Sequence, residues 1–190
     1  MNGYNFTERT RKIFREARDE AAAVGAEYVE PEHVLLALLA DDGVGSIVVD
    51  NLVGHRSRVA DAVRARLKHE ADKSGFAPDL PYSSAAKRVI ELAMSEARNM
   101  QHSYVGTEHV LLGIAAEANS ISAHVLHSFG VTVVSARAEV LRVLGHEADT
   151  MPPQGEKPQR VSLTLHYSNG AIVAKSFTNA AEASSFLSAM

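Results

Sequence analysis

Two glutamate–histidine pairs, Glu32-His33 and Glu108-His109, are the residues of this chain whose types are most suited to binding chemistry. A carboxylate and an imidazole are both ligands that proteins use for metal ions. Adjacent residues on a helix, however, project in different directions around it and do not converge on one point. We therefore predict no metal at either pair, and we expect each histidine to bond to the backbone.

Other signatures of catalysis are missing from the sequence. It has no cysteine, no Gly-x-x-x-x-Gly-Lys-Ser/Thr loop to bind nucleotide phosphates and no Gly-x-Ser-x-Gly nucleophile turn. His124 and His127 lie three residues apart, but the sequence predicts no third metal ligand beside them. We predict a protein that is not an enzyme and that uses no metal or cofactor.

Each pair belongs to a repeated motif, Tyr-Val-x-x-Glu-His-Val-Leu-Leu, which begins at Tyr28 and again 76 positions later at Tyr104. The same offset relates Phe6 to Tyr82 across the two copies. A constant offset indicates a duplicated module without insertions between the matched parts. Two copies of one surface feature favour two equivalent binding sites, whereas an active site is usually assembled once.

Composition and charge narrow the class of partner. The chain has 190 residues, 46% of them apolar and 22% charged, as is typical of a soluble globular protein. Its net charge of −4 argues against a general nucleic-acid or anionic-membrane binder. The polar N-terminus lacks the apolar segment of a signal peptide, and no apolar run approaches the roughly 18 residues of a membrane span. We expect a cytoplasmic protein.

Helical periodicity predicts four helices in each copy. In the first copy, Thr7 is expected to cap the first helix and Pro31 fits the first turn of the second helix. In the second copy, Thr107 is expected to cap the second helix. Gly43 and Gly45 are expected to break the chain before the third helix. The predicted fold is all-α, with tandem duplicated four-helix repeats that make eight helices related by a pseudo-twofold axis.

The predicted domain covers residues 1–148, with repeat one at 4–70 and repeat two at 82–146. A proline-rich linker is expected at 149–160.

The last segment, residues 161–190, has a different pattern. Alternating apolar residues predict a strand up to Tyr167, Asn169-Gly170 is a strong hairpin-turn signal, and a return strand should follow to Phe177. Asn179 is expected to begin a short helix. The sequence thus predicts a small C-terminal ββα appendage.

The segment Tyr104–Gly113 closely resembles the Clp N-terminal repeat domain, which precedes the ATPase modules of the ClpC and ClpA unfoldases. Phe6–Arg9 is similar to the start of the first repeat in ClpC, and Ala86–Leu92 is similar to the second repeat. The resemblance covers about residues 4–146. Because a phosphate-binding loop is missing, we expect the substrate-receiving domain to stand alone here, without ATPase modules.

The resemblance implies that each repeat binds phosphorylated arginine, a degradation mark. Its implied anchors are Glu32 and Glu108, because a carboxylate accepts hydrogen bonds from a planar guanidinium. A helix N-terminus, with its free amides and positive dipole end, suits the phosphate. The expected phosphate-side residues are Thr7 and Arg9 in repeat one, and Ser83 and Lys87 in repeat two.

A second interpretation of these glutamates stays open. An acidic residue in the first turn of a helix stabilises the helix dipole by roughly 0.3–1 kcal/mol and needs no ligand. The two repeats also differ, since Glu30-Pro31 stands where repeat two has Gly106-Thr107. This difference removes a capping hydroxyl and adds a carboxylate that should repel a phosphate.

Aromatic residues precede the first helix of each repeat, namely Tyr4, Phe6 and Tyr82. They would lie close together if the repeats pack with twofold symmetry. The resemblance implies that this junction accepts hydrophobic cyclic peptide antibiotics and adaptor proteins. The alternative is that Phe6 and Tyr82 only staple their own helices.

The sequence therefore leaves three candidate functions. The first is a non-catalytic module of the Clp protease system that binds substrates, including arginine-phosphorylated ones, or an adaptor, and acts with a ClpC unfoldase. The alternative is a decoy that sequesters cyclic peptide antibiotics aimed at that unfoldase. In the third, the appendage offers a strand edge to a partner.

Overall fold

The computed structural model describes residues 5–67 and 80–145, together with the backbone of 161–166 and 172–177. The chain divides into two compact units, Met1–Ala148 and Asp149–Met190. Tyr4, the Asn169-Gly170 turn and the helix expected from Asn179 lie outside the described residues, as does the whole of the 149–160 linker.

The first unit is helical, and its described residues form eight α-helices in two sets of four. The first set comprises α1 (Glu8–Ala23), α2 (Pro31–Ala40), α3 (Val44–Val53) and α4 (Arg56–Arg64). The second set comprises α5 (Ser84–Asn99), α6 (Thr107–Ala116), α7 (Ile121–Ser128) and α8 (Val133–Val143).

The first helix of each set begins with the same kind of cap. Thr7 Oγ1 accepts a hydrogen bond from the Thr10 amide at 3.2 Å, and Ser83 Oγ accepts one from the Ala86 amide at 3.1 Å. Each hydroxyl satisfies an amide that the helix itself leaves without a partner. The prediction that Thr7 caps α1 is confirmed.

The prediction for Thr107 is wrong, because the N-cap of α6 is Gly106 and Thr107 is the first helical residue. Its hydroxyl oxygen instead accepts a hydrogen bond from the Gly45 amide at 3.0 Å. Gly45 lies inside α3 and does not break the chain. A Cβ on Gly45 would stand 2.7 Å from the Thr107 carbonyl oxygen, so a glycine permits this close approach between α3 and α6.

Short extended segments join the two sets, a feature that helical periodicity does not predict. Strand β1 (Asn5–Phe6) pairs in parallel with β2 (Tyr104–Val105). At the equivalent place Val29 forms a parallel bridge with Tyr82. The start of each repeat is thus hydrogen-bonded to the segment that leads into the second helix of the other repeat, which produces the pseudo-twofold arrangement.

Helices α2 and α6 form the centre of the unit. Nine of the ten residues of each are buried, whereas α1 and α5 bury only one face. A helix that is apolar around its whole circumference is a buried one. Because both Glu-His pairs lie in the first turns of these central helices, their side chains are held inside the protein.

In the second unit β3 (Val161–His166) pairs antiparallel with β4 (Ile172–Phe177), and Val161 stands opposite Phe177. The complete ββα appendage stays a prediction. Across the described residues, every helix falls short of the length and apolar character that a membrane span requires.

Candidate ligand-binding cavity

The two histidines bond to the backbone, as expected. His33 Nδ1 accepts a hydrogen bond from the Glu30 amide at 3.0 Å, and His109 Nδ1 accepts one from the Gly106 amide at 2.9 Å. In each case the acceptor nitrogen carries no proton, so a neutral ring has its proton on Nε2. Each histidine therefore offers an Nε2–H donor on the side away from its own helix start.

Burial keeps these rings neutral. It lowers the pKa of His33 and of His109 to about 4, and nearby His102 contributes to the shift at His109. Both rings are therefore uncharged near neutral pH and act as hydrogen-bond donors rather than as cations.

Glu32 connects the two repeats. Its Oε1 accepts hydrogen bonds from the Ser122 amide at 2.9 Å and from the Ser122 hydroxyl at 3.3 Å. Ser122 is in the first turn of α7, so this carboxylate satisfies the start of a helix in the other repeat. This contact supports the structural interpretation of Glu32 and still leaves Oε2 to interact with a ligand.

We predict that Glu32→Ala lowers the free energy of unfolding by about 2 kcal/mol, because the buried Ser122 amide loses its acceptor. Glu32→Gln keeps an acceptor oxygen at the same place and should cost less than about 1 kcal/mol. Urea denaturation of both variants measures the difference. Equal stability of the alanine variant and the parent protein would contradict this role.

Glu108 has a different environment, although it occupies the equivalent position. Its carboxylate lies over Gly106, where an added Cβ would collide with it. The counterpart of Ser122 in repeat one, Ser46, donates instead to the Gly43 carbonyl oxygen at 2.8 Å. Burial raises the pKa of the Glu108 carboxyl, and its own backbone amide opposes that shift. The two glutamates are therefore not equivalent sites.

The sequence argument that a Glu-His pair cannot converge is wrong for repeat two. Glu108 Oε1 lies 3.2 Å from His109 Nδ1, and with His102 the three residues place their ligand atoms within 4.8 Å of one another. A metal would nevertheless compete with existing bonds. His109 Nδ1 is bonded to Gly106, and its Nε2 lies 2.9 Å from His102 Nδ1. A hydrogen-bonded histidine pair accounts for this geometry.

A cavity of about 580 Å³ opens beside Glu32 and His33. Its other lining residues come from both repeats: Val24, Ala26, Glu27, Tyr28, Glu30, Pro31, Arg66, Leu67, Ala85, Asn119, Ser120 and Ile121. Three carboxylates and one guanidinium give it an acidic character. A second cavity of about 480 Å³ shares Ala85 and Asn119 with the first, and its lining includes Arg88. Its lining also includes the carboxylate of Glu117, so the acidic first cavity adjoins a cavity with one guanidinium and one carboxylate.

The phosphate-side residues predicted from the sequence lie crosswise rather than within each repeat. Ser83, at the start of α5, donates its hydroxyl to Glu30 Oε2 of repeat one at 2.6 Å. Thr7, at the start of α1, donates its amide to the Val105 carbonyl oxygen of repeat two at 3.1 Å. The start of the first helix of each repeat thus contacts the segment that leads into the second helix of the other repeat.

Neither of the two predicted cations, Arg9 and Lys87, lines the Glu32 cavity. Arg9 forms an ion pair with Asp41, with Nη1 and Oδ2 3.0 Å apart, and Lys87 is exposed on α5. Arg88, which was not predicted from the sequence, lines the second cavity instead.

The aromatic residues of the junction share one partner. The Phe6 ring meets Phe14 edge to face at a centroid distance of 5.8 Å, and the Tyr82 ring meets Phe14 in the same way at 6.1 Å. Tyr82 also donates its hydroxyl to the Phe14 carbonyl oxygen at 3.1 Å. Phe6 and Tyr82 are half-buried, so the cluster of Phe6, Phe14 and Tyr82 keeps part of its surface exposed.

Comparison with known proteins gives a consistent result. The family model described as the Clp repeat (R) N-terminal domain matches residues 5–129. Over 141 residues the chain is 37% identical to the negative regulator of genetic competence ClpC/MecB of Bacillus subtilis, which covers 74% of this chain and 17% of the relative. It is 39% identical over 145 residues to a Clp protease ATP-binding subunit ClpA homolog of Porphyra purpurea, covering 76% of this chain and 17% of that protein.

Among solved structures, the N-terminal domain of the Clp-associated chaperone ClpD from Arabidopsis thaliana superposes with a TM-score of 0.56 at 25% identity. The alignment covers 74% of this chain and 95% of that domain. The chain thus spans less than a fifth of the length of the curated relatives, but nearly all of the solved domain.

Proposed function

The chain belongs to the Clp repeat (R) N-terminal domain family, and on that premise we propose that it is a non-catalytic module that captures arginine-phosphorylated proteins or peptides. Domains of this family bind substrates and adaptors. The observation that carries the finer proposal is the acidic cavity at Glu32, which adjoins the cavity that holds the Arg88 guanidinium. Phosphoarginine has a guanidinium and a phosphate side by side, so it matches this order of charges.

The acidic end suits the guanidinium. Glu32 Oε1 is already bonded to Ser122, so we assign Oε2 to the guanidinium N–H groups. Glu30 adds a second carboxylate to the cavity, and the Ser83 hydroxyl fixes its orientation. A charge-assisted hydrogen bond of this kind contributes about 1.5–3 kcal/mol.

The phosphate is assigned to the start of α5. Ser83 Oγ accepts from the Ala86 amide, and we assign the two preceding amides, of Ser84 and Ala85, to the phosphate oxygens. Ala85 lines both cavities, and the second holds the Arg88 guanidinium, which also lies 3.6 Å from a Glu91 carboxylate oxygen. Because the Glu30 carboxylate already lies beside Ser83, the phosphate is placed on the Arg88 side of it.

An NMR titration of the ¹⁵N-labelled chain with phosphoarginine tests the proposal. We expect shifts of the Ser84, Ala85 and Asn119 amides, and binding about 10- to 100-fold weaker in Glu32→Gln, which removes the charge but keeps the acceptor. Asp61→Asn is the control, because it removes one charge from an exposed position that does not line either cavity. Unchanged spectra at millimolar phosphoarginine would reject the proposal.

The alternative of a cyclic-peptide decoy is supported by the half-exposed cluster of Phe6, Phe14 and Tyr82. The same labelled protein distinguishes the two functions. A cyclic peptide that binds Glu32→Gln as tightly as the parent, but fails to bind Phe6→Ala, would favour the decoy.

A further inference from the structure

The His33 imidazole has a buried donor without a partner. The residue is 2% exposed, and its Nε2 makes no hydrogen bond with the described residues. Because Nδ1 accepts from the Glu30 amide, Nε2 carries the proton. A buried N–H without an acceptor destabilises the protein, and a ligand that accepts its hydrogen bond would recover that loss.

Repeat two shows what can satisfy such a donor. The equivalent His109 faces the imidazole of His102, with Nε2 and Nδ1 2.9 Å apart. The His102 ring also stacks on Tyr104, at a centroid distance of 5.1 Å and an interplanar angle of 10°. A planar group is therefore held between a tyrosine face and the Nε2–H of a buried histidine.

In repeat one this planar group is missing. The 76-residue offset places Ala26 at the position of His102 and Tyr28 at the position of Tyr104. Both Ala26 and Tyr28 line the 580 Å³ cavity, and Tyr28 is 48% exposed. The cavity of repeat one thus lies where the His102 side chain fills repeat two.

We propose that the chain has one ligand site, in repeat one, and that the His102 imidazole is a built-in occupant of the equivalent site in repeat two. In repeat one the guanidinium plane of phosphoarginine stacks on Tyr28, as the His102 ring stacks on Tyr104. One of the three phosphoryl oxygens accepts the His33 Nε2–H, as His102 Nδ1 accepts from His109, and the other two stay at the start of α5. This inference rests on the proposed function. It adds that the chain has one site and that His102 is the residue that closes the equivalent site in repeat two.

Two exchanges between the repeats test the inference. Ala26→His should fill the first cavity with the residue found in repeat two, and weaken phosphoarginine binding at least 10-fold. His102→Ala should open the equivalent space in repeat two, beside His109, and add a weaker site. Ala26→Ser is the matched control, because it leaves the cavity open. Circular dichroism checks that every variant is folded, and calorimetry with phosphoarginine gives the number of sites.

The outcomes separate this inference from the proposed function. One site in the parent protein, lost in Ala26→His, supports both. Two sites in the parent, or undiminished binding by folded Ala26→His, overturns the inference and leaves the proposed function standing. Absence of binding to the parent overturns the proposed function and the inference with it. If His102→Ala fails to fold, the Ala26 variants decide the question alone.

Discussion

Gly113→Ala is expected to lower the free energy of unfolding by about 3 kcal/mol, near the upper end for an overpacked core. Gly113 lies in α6 where that helix crosses α5. An added Cβ would stand 2.5 Å from the Val89 carbonyl oxygen and 2.9 Å from the Ala93 amide nitrogen. Both are backbone atoms, so the clash cannot be relieved by rotating a side chain. Chemical denaturation followed by circular dichroism measures the loss.

The matched control is Ala37→Gly, because Ala37 holds the same position in α2 of repeat one. It removes a single buried methyl group and adds glycine to a helix interior, which should cost about 1–2 kcal/mol. In an uncrowded helix, glycine to alanine stabilises by about 1 kcal/mol. A Gly113→Ala protein more stable than its parent would therefore show that α5 and α6 are not in close contact here.

Acidification from pH 7.5 to 4.5 is expected to remove about 2–3 kcal/mol of stability for each of His33 and His109. Their pKa is about 4 in the folded protein and ordinarily 6.5, so the folded state binds fewer protons within that window. The stability they contribute is complete above pH 6.5 and is lost as the pH falls towards 4. The raised pKa of Glu108 acts in the opposite direction and offsets part of the loss.

His33→Gln and His109→Gln are the matched variants for this measurement. A glutamine at the third helical position can accept the same N-cap amide bond but does not titrate. Each variant should flatten the pH dependence of the unfolding free energy measured in urea. A parent protein equally stable at pH 7.5 and 4.5 would refute the burial argument.

Local features of the fold could be predicted from the sequence, because each depends on near neighbours. The apolar spacing of α1 and α5 reflects one buried face, and the hydroxyls of Thr7 and Ser83 reach amides three residues away. The roles of Thr107 and Gly45 could not be predicted in this way, since their hydrogen bond joins positions 62 residues apart. The crosswise pairing of β1 with β2 has the same origin, because short extended segments form only once the repeats meet.

The candidate site was predicted in part. The repeated Glu-His motif located the first turns of α2 and α6, and the backbone bonds of both histidines follow from helix capping. The difference between the repeats lies in residues that are not in the motif. The same 76-residue offset aligns Ala26 with His102, and this substitution in the printed sequence was the available signal.

Two partners of the site have weaker signals in the sequence. Ser122 stands at the position equivalent to Ser46, but only the tertiary structure shows that it, and not Ser46, bonds to a glutamate. Arg88 has no counterpart in the expected phosphate-side set, and it becomes a candidate only because the second cavity adjoins the first through Ala85 and Asn119.

Calorimetric titration of the parent chain, Glu32→Gln and Glu108→Gln with phosphoarginine tests the central claim most directly. The account predicts one site in the parent, binding at least 10-fold weaker in Glu32→Gln, and unchanged binding in Glu108→Gln, whose glutamate does not line the cavity. Unmodified arginine should bind more weakly than phosphoarginine, because it brings no phosphate for the α5 start. The absence of heat at millimolar phosphoarginine, or equal binding by the parent and Glu32→Gln, would contradict the account.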